Sequence, residues 1–127
     1  MFAVLTTVRD ALATLEGVRT CRIGMESTLS PADYPIVRIV PSKLQESMPR
    51  LTVRKAEALI YFGVAVHEFE GGLEALYEQL LAMEKTILAE VRALGDVSVR
   101  HLETILDEDR VDAYKLMALR VVIEGRV

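Results

Sequence analysis

Apolar residues recur at spacings of three and four near the start of the chain: Leu5, Val8, Leu12 and Leu15, with Arg9, Asp10 and Glu16 on the opposite side. This is the stripe of an amphipathic helix over Phe2 to Glu16, and Gly17 is placed to stop it because glycine takes the left-handed conformation at little cost. Arg19-Thr20-Cys21-Arg22-Ile23 then alternates weakly, as a short edge strand would. From Leu51 to Val66 the period changes to two. Ala56, Ala58, Ile60, Phe62, Val64 and Val66 fall on one face of a long strand. Lys55, Glu57, Leu59, Tyr61, Gly63, Ala65 and His67 fall on the other, which is only partly polar and calls for partial cover, for instance by another subunit. After Gly71-Gly72 the helical period returns over Leu73 to Leu94, with a stripe of Leu73, Leu76, Tyr77, Leu80, Met83, Ile87, Val91 and Leu94.

The shorter elements follow from turn chemistry. Asp33-Tyr34-Pro35 precedes Ile36-Val37-Arg38-Ile39-Val40; the proline ring fixes its own φ and pushes Tyr34 into an extended conformation, so a strand begins there. Pro41 is expected to end that strand, leaving Ser42 to Pro49 as a polar loop or hairpin tip. Gly95-Asp96 stops the second helix, Val97 to Leu102 reads as a short strand or an irregular crossing, and Ala113 to Glu124 as a closing strand. The order predicts a single domain over residues 1–127 of the α+β class: a mainly antiparallel sheet with an N-terminal helix and a long central helix packed on one face.

Composition changes this picture little. With 51% apolar and 27% charged residues the chain has the profile of an ordinary globular protein, long enough to bury a core. Cys21 stands alone, so no internal disulfide supports the fold, and a small buried strand residue is expected there. The start Met1-Phe2-Ala3-Val4-Leu5 lacks a basic leader, and no apolar run reaches the roughly 20 residues of a membrane span, so a cytoplasmic location is expected. A net charge of −4 with no Lys/Arg-rich run argues against a dedicated nucleic-acid-binding domain, since such binding rests on clustered cations.

No cluster announces a reaction. His67-Glu68-Phe69-Glu70, even with His101 joining, lacks the spacing and second cysteine of a structural zinc site, so no metal is expected. Asp107-Glu108-Asp109 lacks the spacing and turn glycine of a calcium loop and reads as a charged hairpin tip. No nucleophile elbow, phosphate loop or dinucleotide fingerprint occurs, so neither catalytic residues nor a cofactor are expected. The charge distribution is more informative. Lys43, Arg50, Arg54 and Lys55 against Glu46 give a local net of +3, while Glu68, Glu70, Glu74, Glu78, Glu84 and Glu90 against Lys85 give −5. A basic loop and an acidic helix on one subunit can meet across a head-to-tail contact, which closes into a ring when the rotation allows.

The order of these motifs resembles that of the tail terminator proteins of long-tailed bacteriophages, the minor tail proteins of the lambda U type. The resemblance runs over nearly the whole chain: an N-terminal helix, Ala32-Asp33-Tyr34-Pro35-Ile36-Val37 entering a short strand, the long strand Ala56 to Val66, Leu73-Glu74-Ala75-Leu76 opening an acidic helix, and Asp107-Glu108-Asp109 before a closing strand. It implies a homohexameric ring that caps the tail tube, ends its polymerisation and presents the surface joined to the head. The implied partners are further copies of the chain, the tail tube protein and a head-tail connector or neck protein, with DNA only as passing cargo and no membrane. The implied places are the host cytoplasm during assembly and the virion tail. Interfacial residues are then Lys43, Arg50, Arg54, Tyr61, Glu74 and Glu78. Two other readings are a neck or head-completion protein of similar fold, and a small-molecule-binding domain in which Tyr61 and His67 line a pocket.

Overall fold

A computed structural model describes residues 1–46, 53–66, 71–106 and 114–126. Two helices, α1 (Phe2–Ala13) and α2 (Gly72–Arg92), lie on one face of a five-stranded sheet made of β1 (Thr20–Ile23), β2 (Ile36–Glu46), β3 (Val53–Ala65), β4 (Val97–Leu106) and β5 (Tyr114–Arg126). The strand order is β1-β2-β3-β5-β4; β1 runs parallel to β2 and every other neighbouring pair is antiparallel. The chain is therefore an α+β domain with a mainly antiparallel sheet.

The core follows the two periods read from the sequence. Val4, Leu5, Val8 and Leu12 of α1 and Leu76, Leu80, Ile87 and Val91 of α2 are buried against Val37, Ile39, Ala58, Ile60, Phe62, Val64, Leu119, Val121 and Ile123 of the sheet. At about 1.5–3 kcal/mol for each large apolar side chain removed from water, this layer is the main source of stability. Leu73 departs from the expected stripe: it is 53% exposed, because cover by the sheet begins one turn later at Leu76, and Leu88 is buried instead. The first helix is shorter than its apolar pattern. Thr14 Oγ1 donates to the Ala11 carbonyl at 2.7 Å, and Leu15 N and Val18 N close tight turns onto Leu12 and Leu15. These local bonds draw the backbone out of the α-helix before Gly17, which has φ +88°.

Pro41 does not end β2. It pairs with Ala58, a bulge between Pro41 and Lys43 absorbs the irregularity, and the strand continues to Glu46. The reason lies in the neighbour: β1 pairs with β2 only as far as Ile39, so Pro41 sits at a free edge beside a bulge, where a missing N–H costs no ladder bond. The expected loop at Ser42 to Pro49 is thus strand through residue 46, with Ser42 Oγ donating to the Glu57 carbonyl at 3.2 Å, and its remainder lies outside the described residues. The expected short strand at Val97 is a ten-residue edge strand with a bulge between His101 and Glu103.

The parallel pair needs a crossover, and residues 24–35 supply it. This strap crosses the sheet face opposite the helices. The Ser30 backbone N–H donates to Asp33 Oδ2 at 2.8 Å and Asp33 N–H returns a bond to the Ser30 carbonyl, closing a short 3-10 turn over Pro31–Asp33. The bonds from Ser30 hold the Asp33 carboxyl below its ordinary pKa. Tyr34 follows in the expected extended conformation, φ −85° and ψ 149°, with a cis bond to Pro35. Its ring stacks on Tyr114 with centroids 4.4 Å apart, above Ile36 and Ala65. Part of the cover expected from another subunit therefore comes from the same chain.

Candidate interaction surfaces

The residues expected at an interface occupy two distant regions. Lys43 is exposed on β2, and Arg54 is half-buried on β3 with its Nε shielded and without a hydrogen-bond partner among the described residues. Both stand on the part of the β2–β3 hairpin beyond Ile39, which no longer has β1 beside it. Pro41, Ser42, Lys43, Leu44 and Gln45 are all exposed there, Leu44 at 53%. Glu74 and Glu78 are exposed in the first turns of α2, where Glu74 suits the positive end of the helix dipole. The arm opens β3 at Val53 and α2 follows its end at Ala65, a span of about 40 Å at 3.3 Å per residue. The basic arm and the acidic turns of one chain therefore do not meet each other. Arg50 and the cluster His67 to Glu70 lie outside the described residues, as does Asp107-Glu108-Asp109.

Tyr61 lies half-buried on the strap side of the sheet, where the strap stops short. It lines a shallow cavity of about 210 Å³ with Ile105, Leu106, Leu116, Met117 and Ala118. Ile105 and Leu106 are 45% and 55% exposed at the end of the β4 edge strand. That volume is below the roughly 300–1,000 Å³ usual for small-molecule sites, and the lining offers little polar chemistry to orient a ligand. The geometry suits a protruding apolar side chain better than a metabolite.

Two polar arrangements had no signal in the sequence beyond a charged residue in an apolar run. The first is Arg38, only 1% exposed, whose five N–H groups all find acceptors. Nε and Nη2 reach the two Glu26 oxygens at 2.8 and 3.0 Å; Nη1 donates to the Thr20 and Val37 carbonyls at 3.0 and 2.9 Å, and Nη2 also to Thr20 Oγ1 at 2.9 Å. The bonds from Arg38 hold the Glu26 carboxyl below its ordinary pKa. This fork ties the strap to the sheet. The second is a chain at the α2–β4 seam: the Thr104 hydroxyl donates to Glu84 Oε2, which leaves His101 Nε2 to donate to Thr104 Oγ1 at 2.9 Å. It locks helix to strand.

Cys21, expected to be buried, is half-buried on β1, donating to the Arg9 carbonyl at 3.5 Å, and burial pushes its pKa up to about 11. No group of His, Cys, Asp and Glu suited to a metal ion occurs among the described residues, and no helix there is long and apolar enough to cross a membrane. These elements define an α+β domain whose chemistry lies at strand edges and exposed surfaces. The chain matches no family model, and no curated protein matches it.

Proposed function

We propose that this chain is a structural, non-enzymatic protein of a bacteriophage or prophage tail, a terminator that closes into a hexameric ring on the end of the tail tube. The ring stops tube polymerisation in the host cytoplasm and offers the surface to which the connector or neck protein of the head is joined. The observation that carries the reading is the hairpin arm: a strand pair that outruns β1 and carries exposed Lys43 and Leu44 and half-buried Arg54 at the end of the sheet remote from Glu74 and Glu78. A basic arm and the acidic first turns of α2, at opposite ends of a strand about 40 Å long, satisfy each other only between chains, and a head-to-tail contact of that kind generates a ring when its rotation closes. The net charge of −4 suits a bore through which DNA passes without being gripped.

Light scattering tests the ring. Six chains of 14.2 kDa give a particle of about 85 kDa, and a monomer or dimer at micromolar concentration would overturn the reading. Tail length in a strain lacking the gene tests the role. Over-long tubes are expected of a terminator, whereas tubes of normal length with unjoined heads would assign the chain to the neck instead.

A further inference from the structure

Resting on the ring reading above, we propose that the Thr104–Leu106 end of the β4 edge takes the Leu44–Glu46 tip of the hairpin arm from a second copy of the chain, strand on strand, so that neighbouring sheets of the ring join there. Among the described residues, one sheet carries two unpaired edges on opposite sides: Val97–Leu106 of β4, and β2 from Val40 to Glu46, which β1 leaves uncovered. β4 runs antiparallel to β2 through the intervening strands, so a second copy in the same orientation presents its arm for antiparallel pairing.

The register within one subunit limits how two copies fit. Cys21, Val37, Phe62, Met117 and Leu106 lie on one rung across the sheet, while Leu44, Ala56, Ile123 and Val99 lie on another. Placed level, Leu106 would occupy the position of the neighbour's β1. The neighbour must therefore slide along the strands, and by an even number of residues to keep both helix-covered faces on one side. A slide of six residues, the separation of Ala56 and Phe62 on β3, sets Leu44, Gln45 and Glu46 of the second copy opposite Leu106, Ile105 and Thr104. Both are more than half exposed in the single chain, and Leu81 of α2, 49% exposed, lies on the helix flank that faces β4 through Glu84.

The same slide places Arg54 of the second copy on the rung of Ile60, Leu119 and Thr104, the threonine bonded to Glu84. Two strand spacings, about 10 Å, then separate β4 from the strand bearing Arg54, a gap that an arginine and a glutamate bridge together. The shielded Arg54 Nε, which has no partner among the described residues, thereby gains a carboxylate. Four strand spacings carry the neighbour about 19 Å across the sheet and six residues carry it about 20 Å along, a displacement of about 28 Å with strands tilted about 45°. In a closed ring of six the spacing equals the radius, so the sheets would stand about 28 Å from the axis.

The test uses the full chain with Cys21→Ser. Leu44→Cys and Leu106→Cys are placed on separate chains, mixed and oxidised. Within one chain these positions are six residues and three strands apart, about 25 Å, far beyond the reach of a disulfide. A crosslinked dimer only when both variants are present is expected, together with a ladder closing at six when both cysteines are on one chain. Arg54→Glu and Glu84→Arg should each lower the oligomer mass, and the double exchange should restore it. A wild-type particle of about 85 kDa that gives no crosslink and ignores the charge exchange would overturn the strand pairing while leaving the ring intact. A wild-type monomer would overturn both.

Discussion

Replacing Arg38 with methionine keeps most of the side-chain volume and removes the fork that joins β2 to Glu26 of the strap. Arg38 is 1% exposed and donates five hydrogen bonds at 2.8–3.0 Å, two of them to Glu26. Breaking a buried ion pair from one side costs about 3–5 kcal/mol, because the remaining partners keep their desolvation penalty. The Glu26 side chain is 35% exposed and can be rehydrated, which places the expected loss near the lower end, about 3 kcal/mol. For a domain of this size that is a fall in Tm of about 12 °C. Urea unfolding followed by circular dichroism, at fixed protein concentration, measures it. Glu26→Gln alone should cost about 1 kcal/mol and the double variant less than the sum of the two, because both singles break one fork. An Arg38→Met protein within about 0.5 kcal/mol of wild type, or strict additivity of the pair, would refute the reasoning.

The pH dependence of the same fork has a definite sign. The Glu26 pKa is lower folded than its ordinary 4.5, so its contribution is complete above that value and is lost as pH falls through the folded pKa; Glu26→Gln should flatten the acid limb of a stability–pH curve. Gly63→Ala should destabilise by about 1–3 kcal/mol in the same urea assay, because a Cβ there would lie 2.5 Å from the Lys115 carbonyl on the paired strand. Phe62→Ala, at 0% exposure between sheet and helices, should cost about 3–5 kcal/mol, and a loss below 2 would mean that the core is looser than its burial. Cys21, with its pKa raised from 9.0 to about 11, should react with iodoacetamide at pH 7.5 about a hundredfold more slowly in the native protein than in urea.

Much of this protein is legible from local pattern. The period of two from Ala56 to Val64 and the period near 3.6 from Leu76 to Val91 each name the residues that face the core, because strand pleat and helix pitch are properties of consecutive residues. Those two periods, with the turn at Asp33-Tyr34-Pro35, are enough to place two helices on one face of an antiparallel sheet. The turn itself proved to be the end of a strap, and its Tyr34 a buried lid over Ile36 rather than a marker of strand entry alone.

What the tertiary structure decided depends on who sits beside whom. Pro41 stays within a strand because β1 stops at Ile39, and nothing near Pro41 in sequence encodes that stop. Arg38 alternates onto one face with Ile36 and Val40, and only Glu26 and Thr20, 12 and 18 residues earlier, supply the partners that let it be buried there. Leu73 continues the helical stripe, but only the reach of the sheet settles that it is exposed. The charges of the basic arm and acidic helix were countable from the chain. The distance along β3 between the arm and Glu74 and Glu78, and the two strand edges unpaired among the described residues, came only from the packed sheet, because free edges and distances are set by contacts between residues remote in sequence.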